Sequence, residues 1–224
     1  MTSHRGSEEP GDTAAEELSP PSGTARRSPN PRGRPPGDTA ARTKQALLKS
    51  ARQVFAEFGY HGATIAEITR RAEVSTPVLY HHFGSKAGLY SAVMAEVTQL
   101  LAESWGKTIA GTGDLRSKVN AMFDTAIDIH AADPELARFL LATRLEVTRT
   151  PELVAVSEYR DFTAGLFRSV ALQSGVDADR ASAVAHVLAA FFAGLTVIAV
   201  ASPFDYDTAA ESLRSLLDSE LFDS

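Results

Sequence analysis

Apolar side chains recur three and four positions apart along most of the chain beyond residue 38. They do so first from about Thr39 to Phe58, where Gly59 follows as a helix stop, and again from Lys86 to about Trp105. Later segments keep this period, and none combines strict alternation with strand-type turn chemistry. We therefore predict an all-α protein, in which further helices begin near Asp114, Asp133, Thr150, Asp177 and Thr208.

Two short helices joined by a tight turn are predicted between Thr64 and Lys86. Thr64 and Glu67 have capping-box spacing, and Ser75 is placed to cap the second helix, with Pro77 in its first turn. Apolar residues four apart line one face of that second helix. Its other face has few partners inside a protein and carries Thr76, Pro77, Val78, Tyr80 and His81. This arrangement is typical of a helix-turn-helix whose second helix enters a DNA major groove.

Residues 1–38 are rich in Pro, Gly, Ser, Thr and Glu and have almost no large apolar side chains, so we predict a disordered arm. Within it, Arg32-Gly33-Arg34-Pro35 resembles an AT-hook, in which two arginines enter a narrow minor groove. For so short a match, the simpler interpretation of Arg32 and Arg34 is a solvated basic linker.

Charge is distributed unevenly along the chain, which has a net charge of −6. Residues 41–90 carry seven basic and three acidic side chains, whereas residues 91–224 carry ten and nineteen. Only the helix-turn-helix region is basic, as expected of a nucleic-acid module joined to another domain. The chain has no cysteine and no apolar N-terminal signal region, so a cytoplasmic location fits best.

The segment from Ala181 to Phe204 has no charged residue and is long enough to span a bilayer. Because alanine dominates it and no Lys/Arg cluster flanks it, we favour a subunit interface of a homodimer over a membrane span. The interface residues predicted on this helix and on the last one are Ala185, Ala189, Phe192, Ala193, Leu213 and Leu217.

The segment from about Ala46 to Leu89 resembles the tetracycline-repressor (TetR) family of bacterial regulators. The resemblance rests on Phe55-Ala-Glu-Phe58-Gly59-Tyr60, Thr64-Ile-Ala-Glu67-Ile68, Ala72-Glu73-Val74-Ser75 and Leu79-Tyr80-His81-His82-Phe83-Gly84-Ser85-Lys86. It implies a three-helix DNA-binding domain over residues 39–85. A six-helix effector-binding and dimerisation domain would then occupy residues 86–224.

The resemblance also implies roles for individual residues at operator DNA. Phosphate or backbone contacts fall to Thr64, Tyr80, His82 and Lys86, base-edge contacts to Thr76, Pro77 and Val78, and either kind to His81. Ser75 is also among the predicted DNA-binding residues. Two positions depart from the family pattern. Glu73 stands where glycine is frequent, which requires a tolerated left-handed turn or a different one. Val78 cannot donate a hydrogen bond, so we expect it to contact a thymine methyl group.

A cavity for a small-molecule effector is implied by the same resemblance. Its candidate lining residues are Trp105, Met122, Phe123, His130, Phe139, Arg144, Phe162 and Phe167. Most of these aromatic residues are expected in the core in any case. For His130 a hydrogen-bonded histidine is the simpler interpretation, and for Arg144 an exposed or salt-bridged arginine is simpler than an anchor for an anionic ligand.

No enzyme motif is present: the chain lacks Gly-x-Ser-x-Gly, a phosphate-binding Gly-Lys-Ser/Thr loop, a dinucleotide fingerprint and His-Glu-x-x-His. His81 and His82 are adjacent and point about 100° apart, which suits a metal site poorly. We expect neither catalysis nor a metal or other cofactor. The expected function is a dimeric repressor released from DNA by a small molecule; an activator of the same fold and a membrane-anchored helical protein are the alternatives.

Overall fold

A computed structural model describes residues 36–110, 113–146, 150, 153–202 and 205–217; for 36–38, 154–156, 213, 216 and 217 it describes the backbone alone. Every regular element within these ranges is a helix, which confirms the predicted all-α class. The helices are α1 Pro36–Gly62, α2 Ile65–Ala72, α3 Thr76–Phe83, α4 Lys86–Ala110, α5 Leu115–Ala132, α6 Pro134–Glu146, α7 Val154–Gln173, α8 Ala178–Ala201 and α9 Tyr206–Leu217. Arg32 and Arg34 of the predicted arm lie outside the described residues.

Helix α1 is longer than predicted at both ends. It begins at Pro36, because proline is well tolerated in a first helical turn, and it continues beyond Gly59 to Gly62. Gly59 nevertheless interrupts the helical geometry with φ 67° and ψ 178°, a conformation that favours glycine. The kink directs the last residues of α1 toward the end of α6, and α1 packs extensively on α6 as well as on α2 and α4.

Helix α4 connects the helix-turn-helix to the remaining helices. It starts directly after α3, where the Ser85 hydroxyl accepts a hydrogen bond from the Gly88 amide at 2.9 Å, as a helix N-cap does. Along its length it buries residues from Leu89 to Ile109 against α1, α5 and α7. The Tyr90 hydroxyl lies 2.8 Å from Thr143 Oγ1 of α6 inside this core, and burial raises the pKa of Tyr90 to about 12.

Helix α8 is apolar all round, yet only one of its faces packs against its own chain. Ala185 and Phe192, predicted at the dimer interface, are 5% and 7% exposed and lie in the protomer's core. The helix face was therefore misplaced in the prediction, because an all-apolar helix carries no periodic signal to orient it. The exposed face instead carries Ala183, Val187, Ala190, Gly194, Val197 and Ala201.

The residues on this exposed face of α8 are four, three, four, three and four positions apart, which is the spacing of the contact positions in a coiled coil. By length and composition α8 is also apolar enough to cross a membrane, and only 28% of its most apolar window is buried in the protomer. The side chains of Leu213 and Leu217, also predicted at the interface, lie outside those that the structure describes.

Candidate nucleic-acid interface and effector cavity

The first helix of the helix-turn-helix starts at the predicted cap. Thr64 has extended backbone angles, and its side chain accepts a hydrogen bond from the Glu67 amide at 3.2 Å. The Glu67 carboxylate does not complete the capping box; it accepts hydrogen bonds from Arg70 and Arg71 at 2.7–2.8 Å. These arginines lower the pKa of Glu67 to about 2. Both arginines are thus engaged within the chain.

The turn between α2 and α3 contains the one described non-glycine residue with positive φ. Glu73 has φ 54° and ψ 38°, so it adopts the left-handed conformation that its departure from the family pattern made uncertain. The Glu73 amide donates to the Arg70 carbonyl at 3.3 Å, and the Val74 amide donates to the Thr69 carbonyl at 3.0 Å. These bonds close the end of α2 and offset a conformational cost of about 1 kcal/mol.

The second helix presents the predicted face to solvent. Leu79 is fully buried beneath it and Phe83 packs against the core. Val78 and His82 are half-buried, and the exposed residues are Ser75, Thr76, Pro77, Tyr80 and His81. Ser75 occupies the N-cap position with extended backbone angles but makes no side-chain cap hydrogen bond, contrary to the prediction that it caps the helix. Its hydroxyl therefore remains available to an incoming phosphate.

Lys86 follows this helix and contacts the end of α1. Its Nζ atom lies 4.7 Å from the centre of the Tyr60 ring and donates a hydrogen bond to the His61 carbonyl at 3.4 Å. Burial lowers the pKa of Lys86. A phosphate contact by Lys86 remains a prediction, and it requires the side chain to turn away from Tyr60.

A buried carboxylate joins the end of α1 to the end of α6. Glu146 is 7% exposed, and its Oε1 atom accepts a hydrogen bond from the Tyr60 amide at 3.1 Å. Its Oε2 atom accepts one from the Thr150 hydroxyl at 3.3 Å, and that hydroxyl lies 2.6 Å from His61 Nε2. A Cβ atom at Gly59 would stand 2.7 Å from Glu146 Oε1, so the absence of a side chain permits this approach. The end of α1 is thus directly bonded to the end of α6.

A small cavity of about 40 Å³ lies among helices α4 to α8. It is lined by Leu101, Trp105, Ala126, Ile129, His130, Leu140, Arg144, Tyr159, Thr163, Phe167, Ala189, Phe192 and Thr196. Trp105, Phe167 and Phe192 form one aromatic group with ring centres 5.2–5.8 Å apart. A wider groove of about 610 Å³ adjoins the cavity between α6, α7 and α8.

The structure brings together four of the eight residues predicted to line such a cavity, namely Trp105, His130, Arg144 and Phe167. Met122, Phe123 and Phe139 are buried in the core instead, because each fills the space between neighbouring helices. Phe162 is half-buried on α7 and borders neither the cavity nor the groove. Of the predicted interface residues, Ala189 and Ala193 line the groove.

His130 and Tyr159 have shifted pKa values. His130 Nδ1 lies 2.7 Å from the Tyr206 hydroxyl, in agreement with the simpler prediction of a hydrogen-bonded histidine, and burial lowers its pKa. Burial raises the pKa of Tyr159 to about 12, against the opposing influence of Arg144. Both side chains are therefore neutral near pH 7, and Arg144 is the charged residue of the lining.

Comparison with known proteins identifies the family. Residues 47–93 match the family described as bacterial regulatory proteins, tetR family. The chain is 31% identical over 176 residues to the HTH-type transcriptional activator FasR of Mycolicibacterium smegmatis, covering 74% of this chain and 76% of FasR. The chain belongs to the TetR family.

Two further known proteins are similar to this TetR-family chain. It is 37% identical over 67 residues to the HTH-type transcriptional repressor AcnR of Corynebacterium glutamicum, covering 30% of this chain and 36% of AcnR. Its fold is similar to that of the regulator FadR from Bacillus subtilis in complex with stearoyl-CoA, with a TM-score of 0.65, 21% identity and coverage of 79% and 98%. The chain is a helix-turn-helix transcriptional regulator of a family of soluble DNA-binding proteins.

Two structural features of this TetR-family chain were not predicted from the sequence. One is the contact of Glu146 with Tyr60, which are 86 positions apart. The other is the place of Tyr159 in the cavity lining. Neither has a local signal, because a glutamate at a helix end and a tyrosine on an amphipathic helix are ordinary features.

Proposed function

We propose that the protein is a cytoplasmic, dimeric regulator that binds a pseudo-palindromic operator and is released from it by a small molecule. The exposed face of α3 supports DNA binding, because Thr76, Pro77, Tyr80 and His81 all remain accessible to a DNA groove. The cavity beneath Trp105 supports an effector. FadR, with its bound stearoyl-CoA, fits the same picture of a TetR-family fold that accommodates a small molecule.

In this proposal, helix α4 connects ligand binding in the cavity to the position of the DNA-binding helices. Lys86, its first residue, follows the DNA-binding helices, and Trp105, near its other end, lines the cavity. A helix rises 1.5 Å per residue, so the two positions are about 28 Å apart along one rigid element. A ligand that displaces Trp105 therefore shifts the DNA-binding helices, provided that it binds the released state more tightly.

The second copy in the proposed dimer covers the exposed face of α8. Its coiled-coil spacing suits a paired helix, and its small residues permit close approach. Gly194 has nothing within 4 Å of a Cβ atom in the protomer, so Gly194→Leu should leave the protomer folded but block the pairing. Gly165→Leu on α7, equally unobstructed, is the matched control. Sedimentation should show a monomer for the first variant alone; a dimer for both contradicts this surface.

DNA binding is tested by fluorescence anisotropy with the DNA upstream of the protein's own coding region. Tyr80→Ala removes an exposed side chain from α3, and Leu172→Ala truncates an exposed side chain on α7. The first should weaken binding to all sequences by about tenfold, or about 1.4 kcal/mol, and the second should leave it unchanged. Equal affinity of Tyr80→Ala and the parent protein would contradict the assignment of α3 as the helix that binds DNA.

We propose repression as the sign of control, and the name of FasR favours activation as the second candidate. A reporter joined to the operator, measured with and without the regulator's gene, separates the two. Higher expression without the gene supports repression, and lower expression supports activation.

A further inference from the structure

The cavity offers three hydrogen-bond donors without acceptors. The Trp105 indole Nε1–H is buried and has no partner in the described part of the chain. The Tyr159 hydroxyl and the Arg144 guanidinium likewise make no hydrogen bond or ion pair within the described ranges. In contrast, the hydroxyls of Thr163 and Thr196 donate to carbonyls of their own helices at 2.9 Å. Of these three residues Trp105 is buried, Tyr159 is half-buried and Arg144 is exposed. A buried donor without an acceptor is unfavourable, so the position of the Trp105 N–H favours a ligand that supplies an acceptor, and Tyr159 and Arg144 can donate to the same ligand.

The charge of the lining favours an anion. None of the thirteen lining residues is acidic, and Arg144 contributes a positive charge. His130 adds none near pH 7, because burial lowers its pKa. Tyr159 remains a protonated donor, since burial raises its pKa to about 12. The two charged residues of the outer groove beyond Arg144 are Arg160 and Asp161, which lie 3.7 Å apart and balance each other.

The cavity and the adjoining groove differ in size, so each suits a different part of a ligand. The cavity of about 40 Å³ has room for about three water molecules, which is also the number of heavy atoms in a carboxylate. The groove of about 610 Å³ is within the range of ligand pockets, and Ala164, Ala190 and Ala193 are among its residues. Arg144 and Tyr159 border both spaces, at the boundary between them.

We propose that the effector is an amphiphilic monocarboxylate, whose carboxylate enters the cavity and accepts hydrogen bonds from Arg144, Tyr159 and Trp105. Its apolar part lies along the alanine-lined groove. This assignment names the ligand class of the site and rests on the proposed function. Planar arginine is suited to carboxylate oxygens, and a hydrogen bond to a charged group is about twice as strong as a neutral one.

Trp105 is the only tryptophan of the chain, so its fluorescence reports on this cavity alone. The full-length protein is titrated with decanoate, 1-decanol and decylamine, which share one alkyl chain. Decanoate should change the emission saturably and bind at least about tenfold more tightly than the other two. Affinity should rise from butanoate to decanoate by up to about fourfold per methylene group. Tighter binding of decanol or decylamine overturns the proposal.

Variants test the contacts, with thermal shift as a second readout. Arg144→Gln should weaken decanoate binding about 10- to 100-fold, whereas Arg138→Gln, which removes an exposed charge from the same helix outside the cavity, should not change it. Tyr159→Phe should weaken decanoate but not decanol. Ala164→Leu should weaken decanoate but not butanoate, because it narrows the groove alone. Unchanged decanoate affinity in Arg144→Gln contradicts the carboxylate position.

Operator binding separates failure of this inference from failure of the proposed function. The inference stands if decanoate releases operator DNA from the parent protein and not from Arg144→Gln. If uncharged or cationic molecules release the DNA and carboxylates do not, the ligand class is wrong and the regulatory function holds. If the protein binds no upstream DNA, the proposed function itself fails, and decanoate binding is then judged by fluorescence alone.

Discussion

The carboxylate of Glu146 should be a major contributor to the stability of the junction between α1 and α6. Glu146→Ala removes the acceptor of the Tyr60 amide at 3.1 Å and of the Thr150 hydroxyl at 3.3 Å. Both donors remain behind, and the space above Gly59 is left empty. Glu146→Gln keeps the shape and one acceptor oxygen, so it separates the loss of charge from the loss of the hydrogen bonds.

The expected magnitude follows from these contacts. A hydrogen bond to a charged group contributes about 1.5–3 kcal/mol, and a buried donor left unpaired costs about 1–3 kcal/mol. The desolvation of the buried carboxylate offsets part of this. We expect Glu146→Ala to lower the free energy of unfolding by about 3 kcal/mol and Glu146→Gln by about 1 kcal/mol. For a chain of this size, 3 kcal/mol corresponds to a fall in melting temperature of about 6–12 °C.

Calorimetry measures the melting temperature, and amide hydrogen exchange at Tyr60 reports on the contact itself. Glu96→Ala, an exposed glutamate on α4, is the control and should melt with the parent protein. The Tyr60 amide should exchange faster in Glu146→Ala and stay protected in the control. If Glu146→Ala melts within about 2 °C of the parent protein and Tyr60 stays protected, the reasoning about this carboxylate is refuted.

Other substitutions test local geometry. Gly88→Ala would place a Cβ atom 2.2 Å from the Phe83 carbonyl oxygen and should lower the free energy of unfolding by about 1–3 kcal/mol. Gly106→Ala on the same helix meets nothing within 4 Å and should raise the free energy of unfolding by about 0.5–1 kcal/mol. Urea unfolding measures both, and the opposite ranking of the two variants contradicts the packing. Glu73→Gly should raise the unfolding free energy by up to about 1 kcal/mol, since it removes the left-handed strain, and a clear loss argues against that conformation. Glu67 has a folded pKa of about 2 against 4.5 ordinarily, so its contribution is present above pH 4.5 and lost as the pH falls toward 2; melting curves of Glu67→Gln should show a weaker decline over that range, and identical declines would show that Glu67 is not ion-paired.

The DNA-binding end of the protein was largely predictable from local signals. Thr64, Ser85 and Gly59 act at helix ends through their own side chain or its absence, and the four-residue spacing of Leu79 and Phe83 orients α3. Local signals gave a wrong prediction where two groups compete for the same side chain, as at Glu67. Glu67 could reach either the helix start or the arginines beyond it, and the arginines win because their charge strengthens the bond.

The sequence indicated that a cavity exists but did not identify all the residues that line it. An aromatic residue at helical spacing has the same pattern whether it fills the core, as Phe139 does, or borders an opening, as Phe167 does. The prediction of which face of α8 is exposed was wrong for a related reason. Its side chains are apolar on all sides, so the position of Phe192 in the protomer depends on which neighbour packs against it, and not on any contrast along the helix.

The sequence by itself determined the helical class, the helix-turn-helix and the uneven charge of this protein, because these depend on residues within a few turns of one another. The tertiary structure alone decided that Glu146 meets Tyr60, that Trp105, Tyr159 and Arg144 share one small cavity, and which face of α8 remains exposed. These depend on how helices far apart in the chain pack together, and many sequence patterns are compatible with each packing. Burial and unsatisfied donors become visible only when that packing is known.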